Sequence, residues 1–293
     1  MRDIGTPSNI QKVLERFNLS AKKSLGQNFL KDPNILRKIV TEAQIDADTV
    51  VIEIGPGIGS LTEYLARSAK HVFAFEIDQN LLPVLEYTLD EYDNVTVINQ
   101  DILTVDYEKF AAEFLLEGQS VSVVANLPYY ITTPIIMNLL KSSLPTERMV
   151  LMMQKEVAER LEARPSTKAY GSLTLAVQYY ARAHQLFDVP RTVFSPQPNV
   201  DSVMVELIPY RQKPIESSNP EFLDELIRAC FSSRRKTIWN NLRSYFSDKN
   251  LHPLLKESLA AAGIDPARRG ESLNLQEFVT LEREISKRLE MIE

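Results

Sequence analysis

TVVIEIGPGIGS, residues 49–60, runs from a β-branched apolar segment through three glycines into a helical pattern. Val50, Val51, Ile52 and Ile54 favour a strand. Leu61, Leu65 and Ala69 recur downstream at i, i+4 and i+8, the spacing of one buried helix face. A strand, a glycine turn and a helix N-terminus let a ligand approach the backbone where a side chain would block it. Alone, the three glycines also fit a tight turn with no ligand. A dinucleotide fingerprint would require glycine or alanine at the sixth position from Gly55, where Ser60 stands, so E-x-G-x-G-x-G describes the loop better.

Outward from this loop, short β-rich runs alternate with helical segments. The strand candidates are residues 49–54, 71–77, 95–99, 121–126, 148–154 and 200–209. This alternation predicts an α/β domain with a mostly parallel sheet. Glu76 ends the second run, where a carboxylate can accept hydrogen bonds from both hydroxyls of a ribose. Asp101 follows the third run and Asn126 ends the fourth. Each acid alone reads equally as a helix cap or a solvated loop residue. Together they sit at neighbouring strand ends, which in a parallel sheet line one crevice. Acceptors for ribose and an adenine amino group, with no basic residue for a pyrophosphate, describe an adenosine cofactor without phosphates.

With 293 residues, 44% hydrophobic and 25% charged, the chain is long enough for one large domain or one with a smaller partner. One cysteine, Cys230, excludes an intramolecular disulfide framework, and three scattered histidines offer no zinc spacing. The expectation is a metal-free cytoplasmic protein. The N-terminus lacks an apolar signal core, and no run approaches the roughly 18 residues of a membrane span. A net charge of −6 argues against indiscriminate coating of nucleic acid but is blind to local patches. After Pro209, YRQKPIESSNPE loses its apolar period and reads as a linker. Beyond it, Phe222, Leu226, Phe231, Ile238, Leu242 and Phe246 fall on one helical face. Asn274 with Glu277 forms a capping box, stapled by Leu273 and Phe278. The expected division is a domain over 1–210, including an N-terminal segment 1–48, and a helical domain over 211–293.

NLPYY, residues 126–130, leaves the fourth strand with a polar amide, a rigid ring and two aromatics. An Asn126 oxygen beside a Leu127 carbonyl offers two acceptors suited to the hydrogens of one amino group. Pro128 stiffens the loop and biases Leu127 toward an extended conformation. Tyr129 offers a face to a base that has left its stack. Taken alone, the two tyrosines also read as half-buried strand-end aromatics.

The chain resembles class I S-adenosylmethionine (SAM) methyltransferases of the ribosomal RNA adenine N6-dimethyltransferase family. The resemblance lies in SLGQNFL (24–30), EIGPGIGSLT (53–62), Glu76, Asp101, NLPYYI (126–131), FSPQPNVDS (194–202) and RRKTIWNNL (234–242). It implies a Rossmann-like methyltransferase sheet with a small all-helical C-terminal domain, and SAM as cofactor. Asn28 and Leu30 would contact SAM from the N-terminal segment. Gly55 and Gly57 would underlie its methionine portion, Glu76 would hold the ribose and Asp101 the adenine amino group. Asn126 would bridge cofactor and substrate, and Phe194 would oppose Tyr129 across the base. Within the family the resemblance is to the branch that dimethylates two adjacent adenosines near the 3′ end of 16S rRNA in the small subunit or its precursor. The expected enzyme is monomeric.

Residues 226–247 carry Arg228, Arg234, Arg235, Lys236 and Arg243 with no acid, a local basic face suited to rRNA phosphates. A solvated helix face is the plainer reading. Ala21-Lys22-Lys23 and Arg268-Arg269 are candidates to extend it. Alternatives are the large-subunit branch, a DNA adenine methyltransferase, a nicotinamide dehydrogenase and an assembly factor in which methylation is secondary. Ser60 and the lack of a proton-transfer histidine disfavour the dehydrogenase, whereas NLPY and the R-R-K-T cluster favour RNA over DNA.

Overall fold

A computed structural model of the chain describes residues 3–22 and 25–290. The described strands are β1 (Phe29–Leu30), β2 (Val50–Ile54), β3 (His71–Phe75), β4 (Val95–Ile98), β5 (Val121–Asn126), β6 (Thr146–Gln154), β7 (Ala181–Val189), β8 (Phe194–Ser195) and β9 (Ser202–Pro209). Seven of them form one sheet in the order β4-β3-β2-β5-β6-β9-β7. From β4 to β6 the neighbours run parallel, and β9 enters antiparallel against β6. All five residues of β2 are buried, the pattern of a parallel strand covered on both faces. The chain steps outward from β2 to β3 and β4, then returns to the other side of β2 as β5. That reversal is the switch point where open α/β sheets bind ligands.

The glycine turn is set by close packing as much as by the ligand it could admit. Gly59 has φ +90, and a Cβ there would lie 3.1 Å from Thr88 Oγ1 and 3.2 Å from Leu89 Cδ2. Only glycine lets the helix Ser60–Ala66 start so near the helix Leu82–Thr88. A two-residue ribbon, β1 with β8, pairs Phe29 with Ser195 and Leu30 with Phe194. Because successive strand residues face opposite ways, Phe29 enters a core with Ile58 and Leu85 while Leu30 enters another with Leu61 and Met204.

Neither this ribbon nor β7 is among the strands expected from sequence. The burial of β7 is interrupted along its length, and it carries Arg182, His184 and Asp188 at the sheet edge. An edge strand needs no apolar alternation and is commonly blunted by charge.

Two compact units result, and they differ from the expected division. The sheet unit comprises residues up to Ala158 and Arg182–Pro209, and the helical unit comprises Glu159–Ala181 with everything from Tyr210. Residues 159–181 leave the expected first domain because their apolar side chains have helical partners. Leu175 and Tyr179 pack in one core with Leu226, Leu273 and Phe278, and the Tyr170 hydroxyl donates to Leu273 O at 2.7 Å. The expected capping box is present: Asn274 Oδ1 accepts from Glu277 N and Glu277 Oε2 from Asn274 N. The supposed linker is pinned, since the buried Glu282 carboxylate accepts from Ser218 N, Asn219 N and the Ser217 hydroxyl.

The single helical face expected across 222–246 is broken into the helices Pro220–Cys230 and Ile238–Tyr245. Asn241 Nδ2 closes the intervening turn by donating to Cys230 O and Ser233 O, and Thr237 caps the second helix. A second feature fixes this turn from outside: a Cβ on Gly270 would lie 2.7 Å from Cys230 O. Gly270→Ala is expected to destabilise the helical unit by about 1–3 kcal/mol. Hydrogen exchange should show faster amides in Pro220–Cys230 and Leu275–Leu289 with unchanged rates in β2 and β5.

Candidate active site

Register places the chemistry. Ile54 pairs with Phe75 on one side and Ala125 on the other, so the next residues, Gly55, Glu76 and Asn126, arrive level at one sheet end. Gly55 N donates to Phe75 O and Glu76 N to Ile98 O, carrying the ladder past the strand ends. One cleft opens there, lined by Asn28, Gly55, Gly57, Glu76, Asp101, Asn126, Leu127, Pro128 and Tyr129 among others. These sequence-predicted residues therefore meet in one place.

Each polar group has a defined orientation. Glu76 is buried; its Oε1 accepts from Asp78 N at 2.7 Å and its Oε2 from Gly57 N at 3.3 Å. Burial raises its carboxyl above the ordinary range, and those two amides oppose the rise. Asp101 caps the turn Ile102–Thr104 through Oδ1, which accepts from Leu103 N at 3.0 Å. The plainer cap reading thus holds for one oxygen, while the residue still borders the cleft. Asn126 Nδ2 donates to Asn28 O at 3.1 Å, which fixes its amide so that Oδ1 is the free acceptor. Asn28 turns its own amide back to Gly26 O at 2.9 Å.

The loop after Asn126 is held at three points. Leu127 N donates to Met152 O, and Pro128 O accepts from both Ile131 N and the Thr132 hydroxyl. The Tyr129 hydroxyl bonds Ser202 Oγ at 2.7 Å, so the ring is anchored to the start of β9. Burial pushes that phenol upward despite the bond.

Two expectations change. Phe194 is 1% exposed and does not line the cleft; its register with Leu30 puts it in the core behind the N-terminal ribbon. Leu30 is likewise buried and borders a smaller cavity that Asn28, Gly55, Gly57 and Asn126 also line. Arg234, expected on a basic helical face, lies in the turn between helices. It donates to Glu271, Lys168 O, Thr167 O and Tyr170 O. Lys22 and Arg268, proposed extensions of that face, pair with Asp78 and Glu277. Lys23 and Ser24 lie outside the described residues.

Sequence reasoning missed two features. Ile77, 52% exposed, borders the cleft directly after Glu76. In the sequence it reads as the last apolar residue of the 71–77 run, so nothing there marked it as exposed. Glu53 is 1% exposed and borders the smaller cavity with Gly55 and Asn126. Its Oε2 has no hydrogen-bond partner, and neither does the nearby Thr62 hydroxyl. Burial pushes the Glu53 carboxyl up to about 8, with the charge of Glu76 adding to the rise. Among the described residues no group of three or more His, Cys, Asp or Glu is placed to hold a metal ion. No described helix is long and apolar enough to cross a membrane.

A sheet of this order, with a glycine turn and a strand-end carboxylate at its switch point, has the class I methyltransferase architecture. The chain belongs to the ribosomal RNA adenine dimethylase family, whose model matches residues 18–287. It is similar to ribosomal RNA small subunit methyltransferase A of Lysinibacillus sphaericus, 54% identical over 94% of this chain and 95% of that protein. The protein of the same name from Enterococcus faecalis is 53% identical over 98% and 97%. Among solved structures, a dimethyladenosine transferase from Plasmodium falciparum superposes with a TM-score of 0.71 at 28% identity, covering 88% of this chain and 97% of that one. The 23S rRNA methyltransferase ErmE gives 0.63 at 26%, covering 88% and 100%. Family membership makes the chain an enzyme, an adenine dimethyltransferase of ribosomal RNA.

The unpartnered Glu53 has a measurable consequence. The unfolded chain ionises this carboxyl near 4.5, whereas the fold keeps it protonated to about 8, so its burial costs stability increasingly as pH rises across that window. Glu53→Gln should melt with wild type at pH 5 and about 2 °C or more above it at pH 8, by calorimetry.

Proposed function

We propose that the chain transfers methyl groups from SAM to the N6 amino groups of two adjacent adenosines near the 3′ end of 16S rRNA, in the small subunit or its precursor. The observation that carries this reading is the fixed Asn126 amide. With Nδ2 spent on Asn28 O, its Oδ1 is presented as an acceptor beside the Leu127 carbonyl and the anchored Tyr129 ring.

The cleft suits the cofactor. A Cβ on Gly55 would meet nothing within 4 Å, so the backbone there faces open space. The unpartnered Glu53 Oε2 beside it would accept from a cofactor ammonium, whose positive charge would favour the ionised form of the carboxyl that burial otherwise keeps protonated. Glu76 would accept from the ribose hydroxyls and Asp101 from the adenine amino group, with Ile77 and Ile102 as apolar walls. Gly57 would underlie the methionine portion and Asn28 would close its side. When bound, the cofactor supplies a methyl carried on positive sulfur.

Asn126 Oδ1 and Leu127 O would accept the two amino hydrogens of the target adenine, aiming its lone pair at that methyl. No base is needed before attack. The N–C bond forms as the C–S bond of the cofactor breaks, and the neutral thioether leaves. The nitrogen, acidic only once it has gained the methyl, releases a proton to water before a second cofactor molecule binds. Asn126 can then accept the remaining hydrogen for the second transfer. Tyr129 would stack on the flipped base, worth roughly 1–3 kcal/mol. Phe194, from the core, would hold the ribbon that carries Asn28 rather than touch the base. In the helical unit, the exposed Arg228, Arg235, Lys236 and Arg243 would meet rRNA phosphates, with Arg234 fixing the turn that presents them. The small subunit is favoured because relatives named for it exceed 50% identity over nearly their full length, against 26% for the 23S enzyme.

Labelled methyl transfer to purified small and large subunits, with the product nucleoside identified by mass spectrometry, tests the reading. Dimethyladenosine confined to the small subunit is expected, and label on large-subunit RNA would move the substrate. Asn126→Ala should lower kcat about 100-fold or more, while Tyr129→Phe should cost a few-fold and Tyr129→Ala far more. In salt titrations of RNA binding, the triple change Arg235→Ala, Lys236→Ala, Arg243→Ala should reduce the logarithmic slope by about 0.7–0.9 per lost phosphate contact. Arg234→Ala should instead lower the melting temperature.

A further inference from the structure

Residues 25–28 form one wall of the cleft, for Leu25, Gly26, Gln27 and Asn28 all border it. This wall is irregular backbone, tied at Asn28 by the bond from Asn126. Its other tie is Asp78. Gln27 Nε2 donates to Asp78 Oδ2 at 3.1 Å, and Lys22 Nζ lies 2.8 Å from Asp78 Oδ1. The two donors are themselves joined, since Lys22 N donates to Gln27 Oε1 at 2.9 Å and Gln27 N to Lys22 O.

Asp78 also caps the turn Gln79–Leu81 through Asn80 N. A cap alone would use one oxygen and sit at the surface. This carboxylate is 6% exposed; Oδ2 accepts from Gln27 in the wall, and Oδ1 accepts from Lys22, which precedes the wall and is bonded to Gln27, as well as from the Asn80 backbone and side chain. Its backbone N–H donates to Glu76 Oε1 at 2.7 Å. One residue thus contacts both the wall of the cleft and the carboxylate at its ribose end. Its donors hold the Asp78 carboxyl down to about 2, so the negative charge facing Lys22 is present at every physiological pH.

We propose that Asp78 is a positioning residue for the cofactor, holding the wall 25–28 through its side chain and the Glu76 carboxylate through its backbone, so that the two surfaces of the adenosine site keep a fixed spacing. The inference rests on the reading of the cleft as a SAM site. Asp78→Asn keeps the cap and the backbone donor but removes the charge and one acceptor. Lys22→Met removes the cation from a half-exposed side chain and leaves the fold intact. Neither change alters a group that would touch the reacting atoms.

The experiment is calorimetric titration of S-adenosylhomocysteine into the full chain, paired with steady-state kinetics. Asp78→Asn should weaken binding about tenfold or more and Lys22→Met about three- to tenfold. The double variant should fall short of the product of the two. KM for SAM should rise by a larger factor than kcat falls, and hydrogen exchange at residues 25–28 should lose the protection that ligand gives wild type. Binding of both variants within twofold of wild type overturns the proposal, as does weakening that follows only a general drop in melting temperature. If wild type itself binds neither ligand, the cofactor reading fails and the proposal fails with it.

Discussion

The constraint on which the rest depends is the double pairing of β2. A central parallel strand shares its backbone groups with two neighbours, so its register to β3 and to β5 cannot shift independently. A slip of one residue would turn every side chain to the opposite face. The shared register delivers the glycine turn, Glu76 and Asn126 to a common height. The buried, β-branched VVIEI is what makes that register expensive to change.

Around this rigid edge the molecule divides its labour by rigidity. Strand ends supply acceptors whose positions follow from the sheet. Loops supply the surfaces that must fit a ligand, and each is tied back to a strand: residue 28 to Asn126, Tyr129 to Ser202, Leu127 to Met152. The FSPQPNVDS segment is instructive here. Its described bonds serve the scaffold: Phe194 backs Leu30, Asp201 accepts from Arg191 N, and Ser202 anchors Tyr129.

The sheet, the glycine turn and the cleft-lining polar residues were legible in the sequence because each has a local signature. Strands buried on both faces show as apolar runs, and strand-end acids stand out against them. Long-range pairing has no such signature. Phe194 was expected as a wall through the family resemblance, and nothing local in FSPQP tells of its register with Leu30. Arg234 looked like a phosphate ligand because nothing near it in sequence announces Glu271 or the carbonyls of residues 167, 168 and 170. The edge strand β7 was invisible since charge at an edge mimics a loop, and the helical face across 222–246 concealed a turn closed by Asn241.

The discontinuity of the helical unit bears on how the chain can be made and cut. The backbone crosses between units after Ala158, Ala181 and Pro209, so residues 159–181 leave the ribosome well before the helices that cover them. During synthesis Leu175 and Tyr179 must wait, uncovered, for partners as distant as Phe278. A fragment ending near residue 210 would keep those side chains and lose their cover, so removing the C-terminal helices does not isolate the sheet unit. A clean excision has to take both pieces of the helical unit and splice residue 158 to residue 182.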